Sequence, residues 1–183
     1  KMTLGSDIVG LGVSFPPLGY RKDAASAGKT TVDMTITSPP SIDAFTYEAA
    51  GMTVKGGVSL REEGGLDRVR LDGFEVGNWL SGTGEIRGRD EGLAPAIILT
   101  GGRFDVRGLP SEDSATSGTA SQQAIGPISA DLQRVQISES YYLSNFQGRF
   151  EDKGGFGGDF SGLFNGQAPI AGEMLAQNGG QAF

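Results

Sequence analysis

The sequence predicts an all-β protein with few or no helices, organised as a long antiparallel meander. Residues 31–37 alternate between Val32, Met34 and Ile36 on one side and polar residues on the other, which is the period of a half-buried strand. Glycine is abundant, with 31 among 183 residues, and few windows without Gly or Pro are long enough for a helix. Glycine-rich turns recur between the apolar segments, and such short connections join antiparallel neighbours.

Further strand candidates follow one another along the chain and are separated by turn signals. They cover residues 45–49, 52–61, 66–71, 79–87, 96–107, 127–137, 141–150, 155–164 and 168–176. Tight turns are predicted at 63–65 and 153–155, which contain Gly-Gly pairs, and at Asn165-Gly166, the strongest hairpin signal of the chain. The prolines within residues 15–20 place that segment at an edge or in a loop.

Two longer-range features bear on the domain organisation. Residues 110–124 are rich in Ser, Thr, Ala and Gln without an apolar period, which predicts a flexible loop within a single domain spanning 1–183. Residues 66–71 resemble residues 132–137, and in both segments the apolar parity switches between the Leu and the Val. A β-bulge or a strand bend would produce that switch. The repetition favours an elongated, quasi-repetitive sheet over a closed barrel.

The aromatic pattern towards the end of the chain predicts a sheet with one strongly apolar face. Phe156, Phe160 and Phe164 share one parity, and Gly158 and Gly162 lie between them. Since alternate side chains of a strand point to one face, that face presents aromatic rings separated by gaps. Two architectures are open at this point. Either two sheets pack around a filled core, or one sheet curls into a trough whose lining meets lipid chains.

Charge and composition argue against several classes of function. The net charge is −7 and the pI about 4.6, whereas nucleic-acid binding needs clustered Lys and Arg, so no nucleic-acid partner is expected. The chain has no His and no Cys, which excludes a His base, a Ser-His-Asp triad and thiolate or imidazole metal sites. Its acidic pairs lie beside predicted turns. We therefore expect no enzyme activity, no metal and no cofactor.

Four segments carry a resemblance to a known family. Residues 7–22 run from Asp through an apolar stretch to Pro-x-Leu-Gly-aromatic-x-Lys, and residues 64–71 form a strand that leads to Arg-Val. Residues 97–109 are similar to a Leu-x-Gly-x-x-Leu-Asp strand, with Phe-Asp in the last two positions. Residues 162–172 are similar to a Val-Asn-Gly-Gly-Ala-Pro-Val-x-Gly hairpin, with Gln167 at a usual Gly. Together they resemble the AsmA-like envelope proteins of double-membraned bacteria, in particular the C-terminal region of the YhdP- and TamB-type bridge-like lipid transport proteins.

The resemblance implies a fold and a function. It implies that the sheet forms an open trough or half-barrel (β-taco-like). The trough would guide phospholipid acyl chains between the inner and outer membranes without catalysis. It places the chain in the periplasm, as a fragment of a longer protein that is anchored in the inner membrane by an N-terminal helix absent here. The expected partners are phospholipid acyl chains and adjoining β segments of the same full-length chain. The first alternative is a structural or adhesive β-repeat domain with a closed core. The second is an enzyme, since the absence of His and Cys does not exclude carboxylate chemistry.

Parity then predicts which residues line the groove. The predicted lining consists of Val32, Met34, Ile36, Ile97, Leu99, Phe146, Phe150, Phe156, Phe160, Phe164, Ile170 and Met174. The neighbouring acids should face water, namely Asp33, Glu151, Asp159 and Glu173.

Overall fold

The structure is a computed structural model that describes residues 1–15, 20–109, 126–152 and 156–175. Nearly all of these residues lie in strands, and the only helical segment in these ranges is a short 3-10 turn at Val106–Gly108. No helix in the described ranges has the length and apolar character needed to cross a membrane. The predicted all-β fold is confirmed.

The order of the strands in space largely follows their order along the chain. Their bounds are β1 (Met2–Ser6), β2 (Val13–Phe15), β3 (Tyr20–Lys22), β4 (Gly28–Thr35), β5 (Ser41–Ala49), β6 (Met52–Leu60), β7 (Leu66–Val76), β8 (Leu80–Arg87), β9 (Ala96–Asp105), β10 (Ile128–Gln136), β11 (Tyr142–Asp152), β12 (Phe156–Phe164) and β13 (Ala168–Met174). Eleven of them form one sheet, in the order β1-β4-β5-β6-β7-β8-β9-β10-β11-β12-β13. The edges β1 and β13 do not pair with each other, so the sheet is open.

One pair of strands departs from the predicted antiparallel meander. β9 and β10 are parallel, whereas every other neighbouring pair in the sheet is antiparallel. A parallel pair needs a crossover of a dozen or more residues, and the long connection 106–127 provides the length. The predicted loop at 110–124 belongs to this connection and lies outside the described residues. The predicted turn at 153–155 also lies outside them.

A line of irregularities crosses the sheet from β4 to β12, and we call it the seam. The register shifts between Asp33 and Met34 in β4, and Gly101 and Gly102 both have positive φ in β9. On neighbouring strands the seam passes through 43–44, 55–56, 72–73, 82–83, 132–133 and 145–146. A bulge kinks the strand that carries the extra residue and reverses the side-chain parity of that strand. Parity reverses at the seam in β5, β7, β9, β10 and β11, whereas β4, β6 and β8 keep one parity through it.

The seam explains why apolar residues of opposite parity share one face. Leu132 and Val135 differ in parity, yet both are buried among the same apolar neighbours. In β7, Leu66 and Val69 also differ in parity, but they pair with Leu60 and Val58 across a second register shift, between Ser59 and Leu60, that lies outside the seam. The parity switch predicted for segments 66–71 and 132–137 is therefore present in both.

Cross-strand register collects the apolar side chains on one side of the sheet, which we call the lining face; the opposite side is the outer face. The described lining positions with large apolar side chains are Met2, Leu4, Val32, Met34, Ile42, Phe45, Tyr47, Met52, Val54, Val58, Leu60, Leu66, Val69, Leu71, Phe74, Val76, Leu80, Ile86, Ile97, Leu99, Phe104, Ile128, Leu132, Val135, Leu143, Phe146, Phe150, Phe160, Phe164, Ile170 and Met174.

The lining face is the concave side of the sheet. Its most buried members form two clusters, one around Phe74 and Leu80 and one around Leu132 and Phe146, and Phe104 packs against both. Apart from a hairpin at one corner, the described structure has no second layer over this face. A flat single sheet could not bury these side chains, so the sheet must curl around them. The arrangement is that of an open trough.

The corner of the trough beside β4 and β5 carries a small cap, formed by residues 7–12 with the paired strands β2 and β3. Tyr20 fastens the cap to the sheet, because its hydroxyl donates to the carbonyl of Ala49 at 2.9 Å and lies 2.7 Å from the hydroxyl of Tyr47. Ile8 is buried against the same corner, close to Gly28. The predicted edge or loop at 15–20 joins β2 to β3, and 16–19 lie outside the described residues.

Candidate functional site

The candidate site is the lining face itself, and its last strands show how it is built. Phe150 of β11 lies opposite Gly158 of β12, and Phe160 of β12 lies opposite Gly148 of β11 and Gly172 of β13. Each of these aromatic residues therefore has a glycine as its cross-strand neighbour. A glycine leaves a gap that an aromatic ring on the adjacent strand can fill.

The rings of Phe160 and Phe150 both lie over glycines, Phe160 over Gly172 on the neighbouring strand and Phe150 over Gly148 on its own strand. A methyl group at Gly172 would come within 2.7 Å of the Phe160 ring, and one at Gly148 within 2.6 Å of the Phe150 ring. Phe146 and Phe160 are stacked, with 6.1 Å between their centroids and 20° between their planes. In this part of the lining face, the floor of the trough, the rings of Phe150 and Phe160 therefore lie close to the backbone of the sheet.

Most residues predicted to line the groove lie on this face. Register places Phe146, Phe150, Phe160, Phe164, Ile170 and Met174 together in β11 to β13, and Ile97 and Leu99 join them through β10. Val32 and Met34 occupy the corresponding positions in β4. The acids behave as parity requires, since Glu151, Asp159 and Glu173 are exposed and Asp33 accepts a hydrogen bond from Thr3 on the outer face.

For two of the predicted lining residues, the structure does not place the side chain on the lining face. Ile36 follows the end of β4 at Thr35, and its side chain is 73% exposed. The chain leaves the sheet there, so alternation no longer fixes the direction of its side chain. Phe156 begins β12 opposite Asp152, and the structure does not describe its side chain.

The sequence-based lining omitted the middle of the trough. Phe45, Val54, Leu71, Phe74 and Phe104 all lie on the lining face, and several of them pack in the two buried clusters. The signal that could have found them is the apolar alternation in each strand, provided that it is allowed to reverse once at a bulge.

Exposure varies along the floor. Leu132, in the middle of the sheet, is 3% exposed, whereas Met2 is 39%, Leu60 38% and Met174 46% exposed. Most other lining side chains are half-buried. Large apolar side chains are therefore partly open to whatever occupies the trough, and they form a continuous band rather than scattered single residues.

Charged side chains are segregated from this band. From β4 to β13 the described lining positions hold no charged residue except Asp152, at the end of β11. The outer face carries the ion pairs, for example Arg68 with Glu85 at 3.4 Å and Arg70 with Asp72 at 2.7 Å. Exposed pairs of this kind contribute little to stability, and their main effect is to keep the outer face in water.

The pKa is shifted for two carboxyl groups on the outer face and for one hydroxyl group of the cap. A hydrogen bond from Arg107 holds the pKa of Asp105 below its ordinary value, and hydrogen bonds from Thr35 and Ser41 do the same for Asp43. Burial, followed by the hydrogen bond with Tyr47, raises the pKa of Tyr20. None of these three groups lies on the lining face away from the cap.

A buried lysine holds the cap together. Lys22 is 1% exposed, and its ammonium group donates to the carbonyls of Ile8 at 3.1 Å, Leu11 at 2.9 Å and Asp23 at 3.2 Å. All three N–H groups are thereby satisfied without a carboxylate. Tyr20 and Lys22 are the aromatic and the lysine of the Pro-x-Leu-Gly-aromatic-x-Lys segment, so this pattern has a structural role in fixing the cap.

The described residues contain no group of three or more His, Cys, Asp or Glu side chains that could hold a metal ion. No family model matches the chain, and neither a curated protein nor a solved structure matches it.

Proposed function

We propose that the chain is a non-enzymatic lipid-handling module of the bacterial periplasm, whose apolar groove guides phospholipid acyl chains between the inner and outer membranes. The observation that carries the proposal is the lining face, which continues from Met2 in β1 to Met174 in β13. Among the described residues only the cap lies over it, and its one charged side chain from β4 to β13 is Asp152 at the end of β11. The resemblance to AsmA-like proteins supports the periplasmic location. It also supports the proposal that the full-length protein is anchored in the inner membrane.

The size of the floor suits a row of acyl chains. Eleven strands at a spacing of about 4.8 Å give a floor about 48 Å long. An acyl chain spans about half of a hydrocarbon core that is roughly 30 Å thick, which is about 15 Å. The trough could therefore hold chains of successive lipids along its length.

The chemistry of the floor selects hydrocarbon over polar ligands. Covering apolar surface contributes about 25 cal/mol per Å², and the contribution does not depend on direction. A floor of half-exposed Val, Leu, Ile, Met and Phe side chains can therefore hold a chain and still let it slide. A polar ligand would lose its hydrogen bonds to water there without replacement.

The test compares two substitutions that place the same charge on opposite faces of one strand. Phe160→Asp puts a carboxylate on the floor, and Ser161→Asp puts one on the outer face of β12. We expect the purified wild-type chain and Ser161→Asp to retain phospholipid, detected by organic extraction and mass spectrometry. We expect Phe160→Asp to lose it, because desolvating the new carboxylate against acyl chains is costly.

Thermal melting of the same proteins separates loss of lipid from loss of fold. In an open trough water can solvate the new carboxylate, so Phe160→Asp should remain folded with a lower melting temperature. A wild-type chain that carries no phospholipid, together with an unfolded Phe160→Asp variant, would contradict the proposal. That outcome would favour the structural or adhesive alternative.

A further inference from the structure

One corner of the lining face contains a cavity. Met34, Ile42, Val58 and Leu60 from β4, β5 and β6 surround a cavity of about 310 Å³ together with Pro40 and Ser41, and we call it the tail pocket. The four apolar side chains are lining positions linked by register, so the pocket opens from the floor itself. It lies at the rim opposite the cap.

The loop between β4 and β5 forms one wall of the tail pocket. The hydroxyl of Thr37 donates to the carbonyl of Pro39 at 2.8 Å, and the Thr37 amide donates to the carbonyl of Thr35 at 3.2 Å. These bonds hold the loop that carries Pro40, and Ser41, the first residue of β5, completes this wall.

The walls offer a ligand apolar contact and almost no hydrogen bonding. Ser41 is the one polar side chain among the lining residues, and its hydroxyl already donates to Asp43 at 3.1 Å. A buried water needs two to four polar partners, which the side chains of this pocket do not provide. By contrast, the cavity of about 460 Å³ on the other side of the sheet has polar side chains (Asp72, Thr83, Glu85 and Thr100) beside Leu71 and Ile98, so it offers hydrogen-bonding partners that the tail pocket does not.

We infer that the tail pocket binds the methyl end of a single acyl chain. The inference rests on the proposed function, because it gives one acyl chain a fixed binding position within a groove along which other acyl chains can slide. The volume of about 310 Å³ is enough for the terminal part of an acyl chain but too small for a whole lipid. The head of the lipid would remain outside, towards the open rim.

The four methionines of the chain allow the pocket to be observed directly. Met34 lines the pocket and Met2 is its register partner, whereas Met52 lies at the opposite rim and Met174 in the last strand. We expect dodecanoate, added to protein carrying ¹³C-methyl methionine, to shift the Met34 signal in a saturable way. The Met52 and Met174 signals should move only at much higher concentration.

A matched pair of substitutions tests occupancy of the cavity. Val58→Phe fills the tail pocket, and we expect it to weaken the dodecanoate response of Met34 by about tenfold or more, since the apolar contact area is taken. Val69→Phe makes the same change on the same face at the register partner of Val58, outside the pocket, and should leave the affinity unchanged. Both variants should stay folded, because Val58 and Val69 are only half-buried.

The outcomes distinguish this inference from the proposed function. Retained phospholipid with no selective Met34 response, or equal responses at Met34 and Met174, would overturn the tail pocket and leave the groove intact. An undiminished response in Val58→Phe would overturn it as well. A selective Met34 response in a chain that retains no phospholipid would support the pocket and count against lipid handling along the groove.

Discussion

Replacing Lys22 by Met should open the cap without melting the sheet. Methionine keeps the length and the apolar stem of the side chain but removes the ammonium that bonds to three carbonyls. The bond to Ile8 is buried, and losing the partner of a buried acceptor costs about 1–3 kcal/mol. The bonds to Leu11 and Asp23 are partly exposed, so water can replace the donor there at a smaller cost. The expected loss is about 3 kcal/mol, or about 100-fold in the opening equilibrium of the cap.

The loss should be local, because the cap contacts the sheet mainly through Tyr20 and Ile8. Hydrogen exchange followed by mass spectrometry is the suitable measurement. The amide of Gly10, which donates to Ala24 at 2.8 Å, should exchange about 100-fold faster, while amides around Leu132 keep their protection.

Lys29→Met is the matched control for this experiment. Lys29 is exposed in β4, so its replacement should change stability by no more than about 0.5 kcal/mol. Unchanged exchange at Gly10 in Lys22→Met would refute the reasoning that the three carbonyl bonds hold the cap. Equal acceleration in the cap and in the sheet would show that the two unfold as one unit.

Three further predictions concern the seam, the clusters and the cap. Gly102→Ala should lower the free energy of unfolding in urea by more than about 2 kcal/mol, because φ is +82° and the new methyl group would lie 2.0 Å from a carbonyl oxygen of β8. Gly51→Ala should lower it by about 1 kcal/mol, because φ is +76° there but the space around the residue is open. Leu132→Ala should cost about 2–5 kcal/mol, and Ile97→Ala on the open floor less than half as much. Burial and a hydrogen bond raise the pKa of Tyr20, so the unfolded chain loses this proton first. Stability should therefore fall as pH rises above about 10, and Tyr20→Phe should flatten that slope.

Local chemistry made the antiparallel hairpins predictable from the sequence. Asn165 and Gly166 both adopt positive φ between β12 and β13, as the turn predicted for this pair requires. The turn at 63–65 likewise joins β6 to β7. In both places the residues that define the turn are adjacent in sequence, so no tertiary information is needed.

Features decided by distant partners were not predictable in the same way. β1 has only two large apolar residues, Met2 and Leu4, and it is a strand because it pairs with β4. The parallel pairing of β9 with β10 depends on where the chain returns after a long connection, which no local pattern specifies. Gly101 and Gly102 lay within a predicted continuous strand, and only the register of β8 and β10 shows that they bend it.

The seam links the stability of the trough to its openness. A single sheet needs buried apolar contacts, yet a groove must leave apolar surface uncovered. The bend at Gly101 and Gly102 lets both halves of β9 present Leu99 and Phe104 to the same concave side, where the two buried clusters meet. The apolar side chains in the middle of the sheet thereby pack together and are buried, while those at its rims stay half-exposed. Substitutions at the seam should reduce stability first, and substitutions at the rims should reduce lipid retention first.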